Sequence, residues 1–339
     1  MEKRDVVIVG AGPAGLMAAK ILGMNARDVL VLEAKKNIGK KICTGLWGIT
    51  EKTAEMKIPK FVFDKKFKKI IFHTPHLSTT LKEDKPFVAS INREMLGQWM
   101  AKKAKALGAE IRTGSPVTKI NKDYVVVNGK KIGFNHLIGA DGSNSIVRRY
   151  LQLPVELGLA FQYKIKQRFK DMEVSYDADK FGPWYAWIVP HKKQTFIGAV
   201  GVPRIWPVGK AKKKFHLWLG EKGIDYSDAE FEGAPINHIY KGHEFGNISL
   251  AGDAAGFPSG LTGEGIYFAM ASGWDIAEKI LNPRYRCKRI DLILAIKRKH
   301  EAILKSFMLN RTLERIEYTL MTLLLKNKLF DKKIIDLVG

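Results

Sequence analysis

Cysteine is nearly missing from this chain: 339 residues carry only Cys43 and Cys287. Two thiols cannot build a disulfide framework or supply the four thiolates of an iron–sulfur cluster or structural zinc, and a reducing cytoplasm is the expected setting. The eight histidines show no HExxH spacing and no G-x-S-x-G elbow occurs, so metallohydrolase and serine-hydrolase chemistry have no anchor and no metal is expected. No apolar run approaches the ~20 residues that span a bilayer, and the chain enters an apolar strand at once, so neither a span nor a cleavable signal is expected. Any membrane contact would be peripheral, on the inner face of the cell membrane. Acidic residues are also scarce: 34 Asp and Glu stand against 57 Lys and Arg, a net charge of +23. Such an excess attracts an anionic bilayer or a polyanionic substrate. Nucleic acid is not expected, because the lysines at 35–36, 40–41, 65–69 and 212–214 are dispersed over many elements with no nucleic-acid module beside them.

What is present is glycine in three ordered contexts. Val6 to Val9 reads as a buried parallel strand running straight into GAGPAG. Gly10 suits the tight turn, Gly12 a close approach to pyrophosphate, and Gly15 the packing of a helix over residues 13 to 24, whose positive end faces the phosphates. Pro13 fits its first turn. A second strand, 29 to 32, ends at Glu33, about 20 positions beyond the fingerprint, where a carboxylate can accept from ribose hydroxyls.

The second context is LIGADGSNSIVRR at 137 to 149, where Asp141-Gly142 sets a carboxylate and free N–H groups after an apolar strand. The third is ISLAGDAAGFPSGLTGEGI at 248 to 266. There Asp253 can bind ribityl hydroxyls, and Gly263, Gly265 and Ile266 open a long helix to about 280 whose N-terminus favours negative charge. Each turn alone is common. The three in one chain point to FAD.

Between them the character changes. Residues 61–63, 70–72 and 87–91 read as short strands, Arg93 opens a helix to about 107, 110–120 reads as one strand, and Asn128-Gly129 marks a hairpin. The expected fold is α/β. A Rossmann-like FAD-binding domain is discontinuous over 1–60, 92–150 and 245–285; a β-rich substrate domain is inserted over 61–91 and 151–244; a helical C-terminal cap covers 286–339. Aromatic residues are dense in the inserted part: Phe181, Trp184, Tyr185, Trp187, Phe196, Trp206 and Trp218. Such stripes are more often core than binding surface, though they suit a long apolar ligand. In the cap, Ile290, Ile293, Leu294 and Ile296 form one amphipathic stretch and Leu313, Ile316, Leu320, Leu323 and Leu324 another.

Taken with Lys41-Ile42-Cys43-Thr44-Gly45, Arg93 and the segment PWYAWIVP at 183–190, the chain resembles the FAD-dependent geranylgeranyl reductases, which share the para-hydroxybenzoate hydroxylase type of fold. The last segment is similar to the Y-x-W-x-F-P part of the family's P-x-x-Y-x-W-x-F-P signature, with Val189 where Phe is usual and one residue fewer between Pro183 and Tyr185. The resemblance implies cofactor contacts at Ala14, Glu33, Cys43, Thr44, Gly45, Arg93, Val117, Asp253, Gly265 and Ile266, and a prenyl tunnel lined by Trp184, Tyr185 and Trp187. It also implies reduction of isolated C=C bonds, with hydride from N5 of reduced FAD and a proton to the other carbon. The aromatic faces of Tyr185 and Trp187 could stabilise positive charge, and Cys43 is a candidate for proton relay or positioning, or simply a small residue packed against the ring. Partners would be a prenyl lipid or prenyl diphosphate and an electron donor, whether NAD(P)H, ferredoxin or another reductant. An aromatic hydroxylase and an electron-relay flavoprotein remain open from the residues alone.

Overall fold

A computed structural model describes residues 1–202, 207–309 and 311–324 of the chain. Trp206 and the segment 325–339 lie outside the described residues, as do the side chains of Leu313 and Leu324.

An eight-stranded sheet positions the three glycine motifs. Its main path is Glu244–Phe245, Ile248–Leu250, Lys130–Gly139, Glu2–Val9, Val29–Leu32 and Glu110–Arg112, and every strand on that path after the first edge runs parallel to its neighbour. Val9 is in register with Gly139 and with Leu32, and Gly139 with Leu250. The strands therefore end level, and the loops that follow them meet at one edge, where open α/β sheets bind ligands. Val6, Val7, Ile8, Leu30 and Val31 are wholly buried, as expected of β-branched runs covered on both faces.

Two helices press on this sheet at close range. Pro13–Met24 crosses Ile266–Leu281 so tightly that a Cβ at Gly273 would lie 2.1 Å from the Ala14 carbonyl oxygen. A Cβ at Gly15 would lie 2.1 Å from the Gly10 oxygen. The helix Arg93–Ala106 starts as expected, with Asn92 Oδ1 accepting from Met95 N at 3.0 Å.

Two expected strands differ. The run 110–120 divides into Glu110–Arg112, on the sheet edge, and Val117–Ile120, which turns into a hairpin with Tyr124–Val127. The chain breaks at Gly114, which has φ +62° and donates its N–H to Lys35 O. Residues 61–63 do not open a strand: Lys60–Val62 is a 3-10 turn, because the Val62 N–H is taken locally by Pro59 O, and the strand Phe63–Phe67 follows. The Asn128-Gly129 hairpin forms as expected, both residues having positive φ.

A seven-stranded sheet runs Glu230–Asn237, Leu157–Ile165, Thr195–Gly201, Tyr185–Pro190, Met172–Tyr176, Lys69–His73, Ser78–Lys82. A three-stranded sheet joins Leu46–Gly48, Val88–Ile91 and Phe63–Phe67. Side-chain alternation gives the larger sheet two differently packed faces. On one, Phe161, Ala186 and Ile188 pack with Phe215 and Trp218 of the helix Val208–Glu221 and with Phe181 of the helix Ala178–Phe181. Trp187 and Val189 face the other way, with Phe67, Ile70, Phe72 and Val174, and Tyr176 and Tyr185 against them. The dense aromatic content is therefore two cores on opposite faces, as the period of two in Tyr185–Pro190 demands.

The helices Lys288–Leu309 and Arg311–Leu324 complete the described chain. Tyr318 stacks on Tyr176 at 4.9 Å and meets Phe307 at 4.9 Å, closing over the Tyr185 face. Ile316, Leu320 and Leu323 point outward. Among the described residues no helix is long and apolar enough to cross a membrane.

Candidate active site

Asp253 ties the second and third motifs to the KICTG loop. Its carboxylate takes Lys41 Nζ at 2.9 Å and Ser143 Oγ at 3.2 Å, and one oxygen stands 3.7 Å from where a Gly265 Cβ would sit. Lys41 opens the KICTG loop, Ser143 belongs to the second motif, and Gly265, in the same motif as Asp253, caps the helix Ile266–Leu281. Three segments far apart in the chain thus converge on one carboxylate.

The first motif is shaped for a phosphate. Gly10, at φ +103°, sits against Ala140, whose carbonyl oxygen would be 2.4 Å from any Cβ there. Gly12 faces open space, with only one atom as near as 3.9 Å, and caps its helix with no side-chain hydrogen bond, so the first-turn N–H groups stay available. Ala14 lies beneath, buried against Gly273. The Glu33 carboxylate stands beside this turn, accepting from Ala11 N at 2.8 Å and Lys35 N at 2.9 Å. Val117 follows Ser115, whose N–H donates to Glu33 O at 2.8 Å, which puts it at the same end of the site.

At the other end, the Cys43-Thr44-Gly45 loop packs on Arg93. Gly45 has φ +74° and its carbonyl accepts from Ile91 N. Its N–H reaches Cys43 Sγ at 3.3 Å. Arg93 Nε is covered and has no protein partner, a donor that costs stability unless a ligand accepts from it. The helix Ile266–Leu281 begins at Gly265 without a side-chain cap or an acidic first turn, leaving its positive end exposed to the site. The orphaned Arg93 donor, two bare helix N-termini and a level row of glycine turns suit an anionic dinucleotide. FAD would be held by Gly10, Gly12, Glu33, Arg93, Asp253 and Gly265, with Gly263 and Ile266 flanking the last.

Asp141 gives one oxygen to the protein, and its Oδ1 is buried without a protein partner. Its Oδ2 accepts from Ile146 N at 2.6 Å and Val147 N at 3.4 Å, capping the helix Ile146–Tyr150, and burial raises its pKa. Arg148 is fully buried and binds the carbonyl oxygens of Pro154, Ala254 and Ile239, stapling the second motif to the third.

The aromatic segment bears directly on the glycine-rich loop before the helix Ile266–Leu281. Trp184 Nε1 donates to Gly260 O at 2.9 Å and the Tyr185 hydroxyl donates to Thr262 O. Burial raises the Tyr185 pKa, with Tyr176 and Glu264 adding to it, so the hydroxyl stays protonated. Trp187 meets Tyr185 at 6.0 Å and lies across Gly198, where a Cβ would touch its ring at 2.4 Å. From behind, buried Lys297 donates to the carbonyls of Pro258 and His238, and His300 Nδ1 lies 2.8 Å from Ser259 Oγ.

These last two residues were not anticipated, nor were Gln162 and His191. Gln162 Oε1 accepts from Thr44 Oγ1 at 2.7 Å, and His191 Nε2 lies 2.9 Å from Thr44 O. The signal for Lys297 and His300 was in the helical periodicity, since they fall in the same stripe as Ile293 and Leu304. Cys43 and Cys287 are both free thiols.

A family model for pyridine nucleotide-disulphide oxidoreductases matches residues 4–173. An uncharacterised protein of Methanosarcina barkeri is 30% identical over 301 residues, covering 83% of this chain and 75% of that protein. A digeranylgeranylglycerophospholipid reductase of Methanocaldococcus jannaschii is 28% identical over 298 residues, covering 79% and 74%. The crystal structure of a geranylgeranyl bacteriochlorophyll reductase-like protein of Thermoplasma acidophilum superposes with a TM-score of 0.79 at 18% identity, covering 99% of this chain and 100% of that one, a likeness of fold. The chain therefore belongs to the pyridine nucleotide-disulphide oxidoreductases, as an oxidoreductase whose cofactor is FAD, and is similar to proteins named geranylgeranyl and digeranylgeranylglycerophospholipid reductases.

Proposed function

We propose that the protein saturates isolated C=C bonds of geranylgeranyl chains, with a prenyl ether lipid as its substrate. One observation carries this reading. The apolar wall of Trp187, Tyr185 and Tyr176 is hydrogen-bonded straight to the glycine-rich loop at the flavin end, through Trp184–Gly260 and Tyr185–Thr262. An alkene lying along that wall abuts the cofactor loop. A prenyl chain has almost nothing to hydrogen-bond, so burial must bind it, at roughly 25 cal/mol per Å² of apolar area.

When bound and reduced, FAD supplies the hydride. The protein's part is to bind, orient and exclude water. Tyr185 and Trp187 present aromatic faces to the positive charge that an unactivated alkene develops. Cys43 is assigned as the group that holds the proton, at Sγ. The eight-stranded sheet carries the cofactor and residues 151–244 the substrate. The ether lipid is favoured over a free diphosphate by the archaeal relative's name, by the +23 charge, and by the outward face of Ile316, Leu320 and Leu323, which are each about half exposed. Such a face suits peripheral docking on anionic lipid. An electron donor, NAD(P)H, ferredoxin or another reductant, would recharge the flavin.

The test is anaerobic incubation of dithionite-reduced protein with a geranylgeranyl ether lipid, followed by mass spectrometry. A gain of two hydrogens per double bond supports the proposal. Oxygen gained under aerobic turnover would make the protein a hydroxylase, and unchanged lipid with a fully reduced flavin would leave an electron relay.

A further inference from the structure

Just before the third glycine motif and just after the helix Ile266–Leu281, His243, Glu244 and Cys287 bring an imidazole nitrogen, a carboxylate oxygen and a thiol sulfur within 4.8 Å of one another. We propose that these three side chains form a zinc site, with water in the fourth position. It is independent of the lipid substrate proposed above.

The arrangement has the marks of ligands facing a shared cation rather than each other. His243 Nε2 is covered and has no hydrogen-bond partner, although a Glu244 oxygen lies only 3.4 Å away. The two atoms are close without the alignment a hydrogen bond needs. His243 Nδ1 lies 2.7 Å from the Tyr240 hydroxyl. With the ring proton on Nδ1 donated to that oxygen, Nε2 presents its lone pair to the site, the outer contact that orients metal-binding histidines. Imidazole, carboxylate and thiolate together are a borderline donor set that suits Zn²⁺ rather than Mg²⁺ or Ca²⁺.

The third ligand is held in place by the fold. Asp275, fully buried on Ile266–Leu281, accepts from the N–H groups of Arg289 and Ile290 at 2.8 and 3.0 Å, fixing the start of the helix Lys288–Leu309 just after Cys287. Asp275 also pairs with Arg289 at 2.9 Å, so it is spent as an anchor and is not a ligand. The Cys287 thiol lies 3.8 Å from the Asp275 carbonyl oxygen. Metal binding replaces the S–H bond of Cys287 by a Zn–S bond and releases the proton to solvent. The bound ion would staple the edge strand Glu244–Phe245 to the junction of two helices, one of which carries Lys297 and His300 to the back of the flavin loop.

The experiment uses chelator-stripped full-length holoprotein, titrated with Zn²⁺ by calorimetry and with Co²⁺ by absorbance. One equivalent should bind, and cobalt should give a sulfur-to-metal charge-transfer band. Cys287→Ser should abolish that band, and Cys287→Ser and His243→Gln should each weaken binding by about 100-fold. Cys43→Ser should leave metal binding unchanged, and bound Zn²⁺ should slow alkylation of Cys287 in the wild type. Circular dichroism and flavin content of the variants confirm that they fold. Failure of the wild type to take up one equivalent, or uptake that survives both variants, overturns the site.

Discussion

His191 stands between Asp64 and the main chain of Thr44, its Nδ1 2.8 Å from Asp64 Oδ2 and its Nε2 2.9 Å from Thr44 O. Both neighbours are acceptors. The ring bridges the carboxylate and the loop. The His191 ring is almost wholly buried, with Phe196 edge-on at 4.6 Å. This bridge clamps the loop that carries Cys43 against Arg93. A hydrogen bond to a charged group contributes about 1.5–3 kcal/mol. His191→Gln should lower the melting temperature by roughly 3–6 °C and speed release of FAD, read by the recovery of flavin fluorescence. Unchanged release would mean that the clamp does not reach the cofactor.

Tyr185 offers two separable properties, a hydroxyl fixed to Thr262 O and a ring facing Trp187 and Tyr176. Tyr185→Phe removes the loop bond and keeps the ring, so turnover should stay within about threefold while stability falls by about 1 kcal/mol. Tyr185→Leu removes the ring, and if the π-face steadies the cationic transition state, a loss of about 1–2 kcal/mol there cuts turnover by about five- to thirtyfold. Equal losses in the two variants would assign Tyr185 to bracing the loop alone.

The cofactor half of the molecule was legible because its signal is local. Gly10, Gly15 and Glu33 do their work within a few residues of the strands that announce them, and the level ends of Val9, Gly139 and Leu250 follow from parallel pairing. The sequence could not say which face an aromatic residue takes: Trp218 on the helix Val208–Glu221 and Trp187 on the strand Tyr185–Pro190 look alike in composition, yet they fill cores on opposite faces of the seven-stranded sheet. The His191–Asp64 pair, separated by 127 positions, is invisible to spacing, as is a cluster that joins residue 287 to 243 and 244. That Ile146 N takes one oxygen of Asp141 is likewise not visible in an Asp-Gly turn.

Asp253 should matter for cofactor affinity more than for folding. Its partner Lys41 is about half exposed, so the ion pair itself is worth at most about 1 kcal/mol. The carboxylate nevertheless sits where ligand hydroxyls would donate to it, and charge-assisted bonds are roughly twice as strong as neutral ones. Asp253→Asn should raise the FAD dissociation constant about tenfold, measured by titrating apoprotein, with a melting temperature of the apoprotein within about 2 °C of wild type. A large loss of apoprotein stability would instead make Asp253 a structural tie between Lys41 and Ser143.

Acid stability should be set in part at the opposite edge of the same sheet. Glu2 pairs with Arg112 at 2.6 Å and Arg4 at 2.7 Å, while Arg4 and Arg112 both reach Glu110. Hydrogen bonds from Arg112, then Arg4, bring the Glu2 pKa down to about 2 from 4.5. A carboxyl whose folded pKa lies below its unfolded one stabilises the protein fully above the unfolded value and loses that contribution as pH falls through the folded value. The window is therefore about pH 4.5 down to about 2. Glu2 is over one-third exposed, so solvent screening limits the gain to about 1 kcal/mol or less. Melting curves of wild type and Glu2→Gln should differ at pH 6, converge as pH approaches 2, and draw together in high salt. A difference that persists unchanged at the acid end would show that the side chain acts through packing rather than charge.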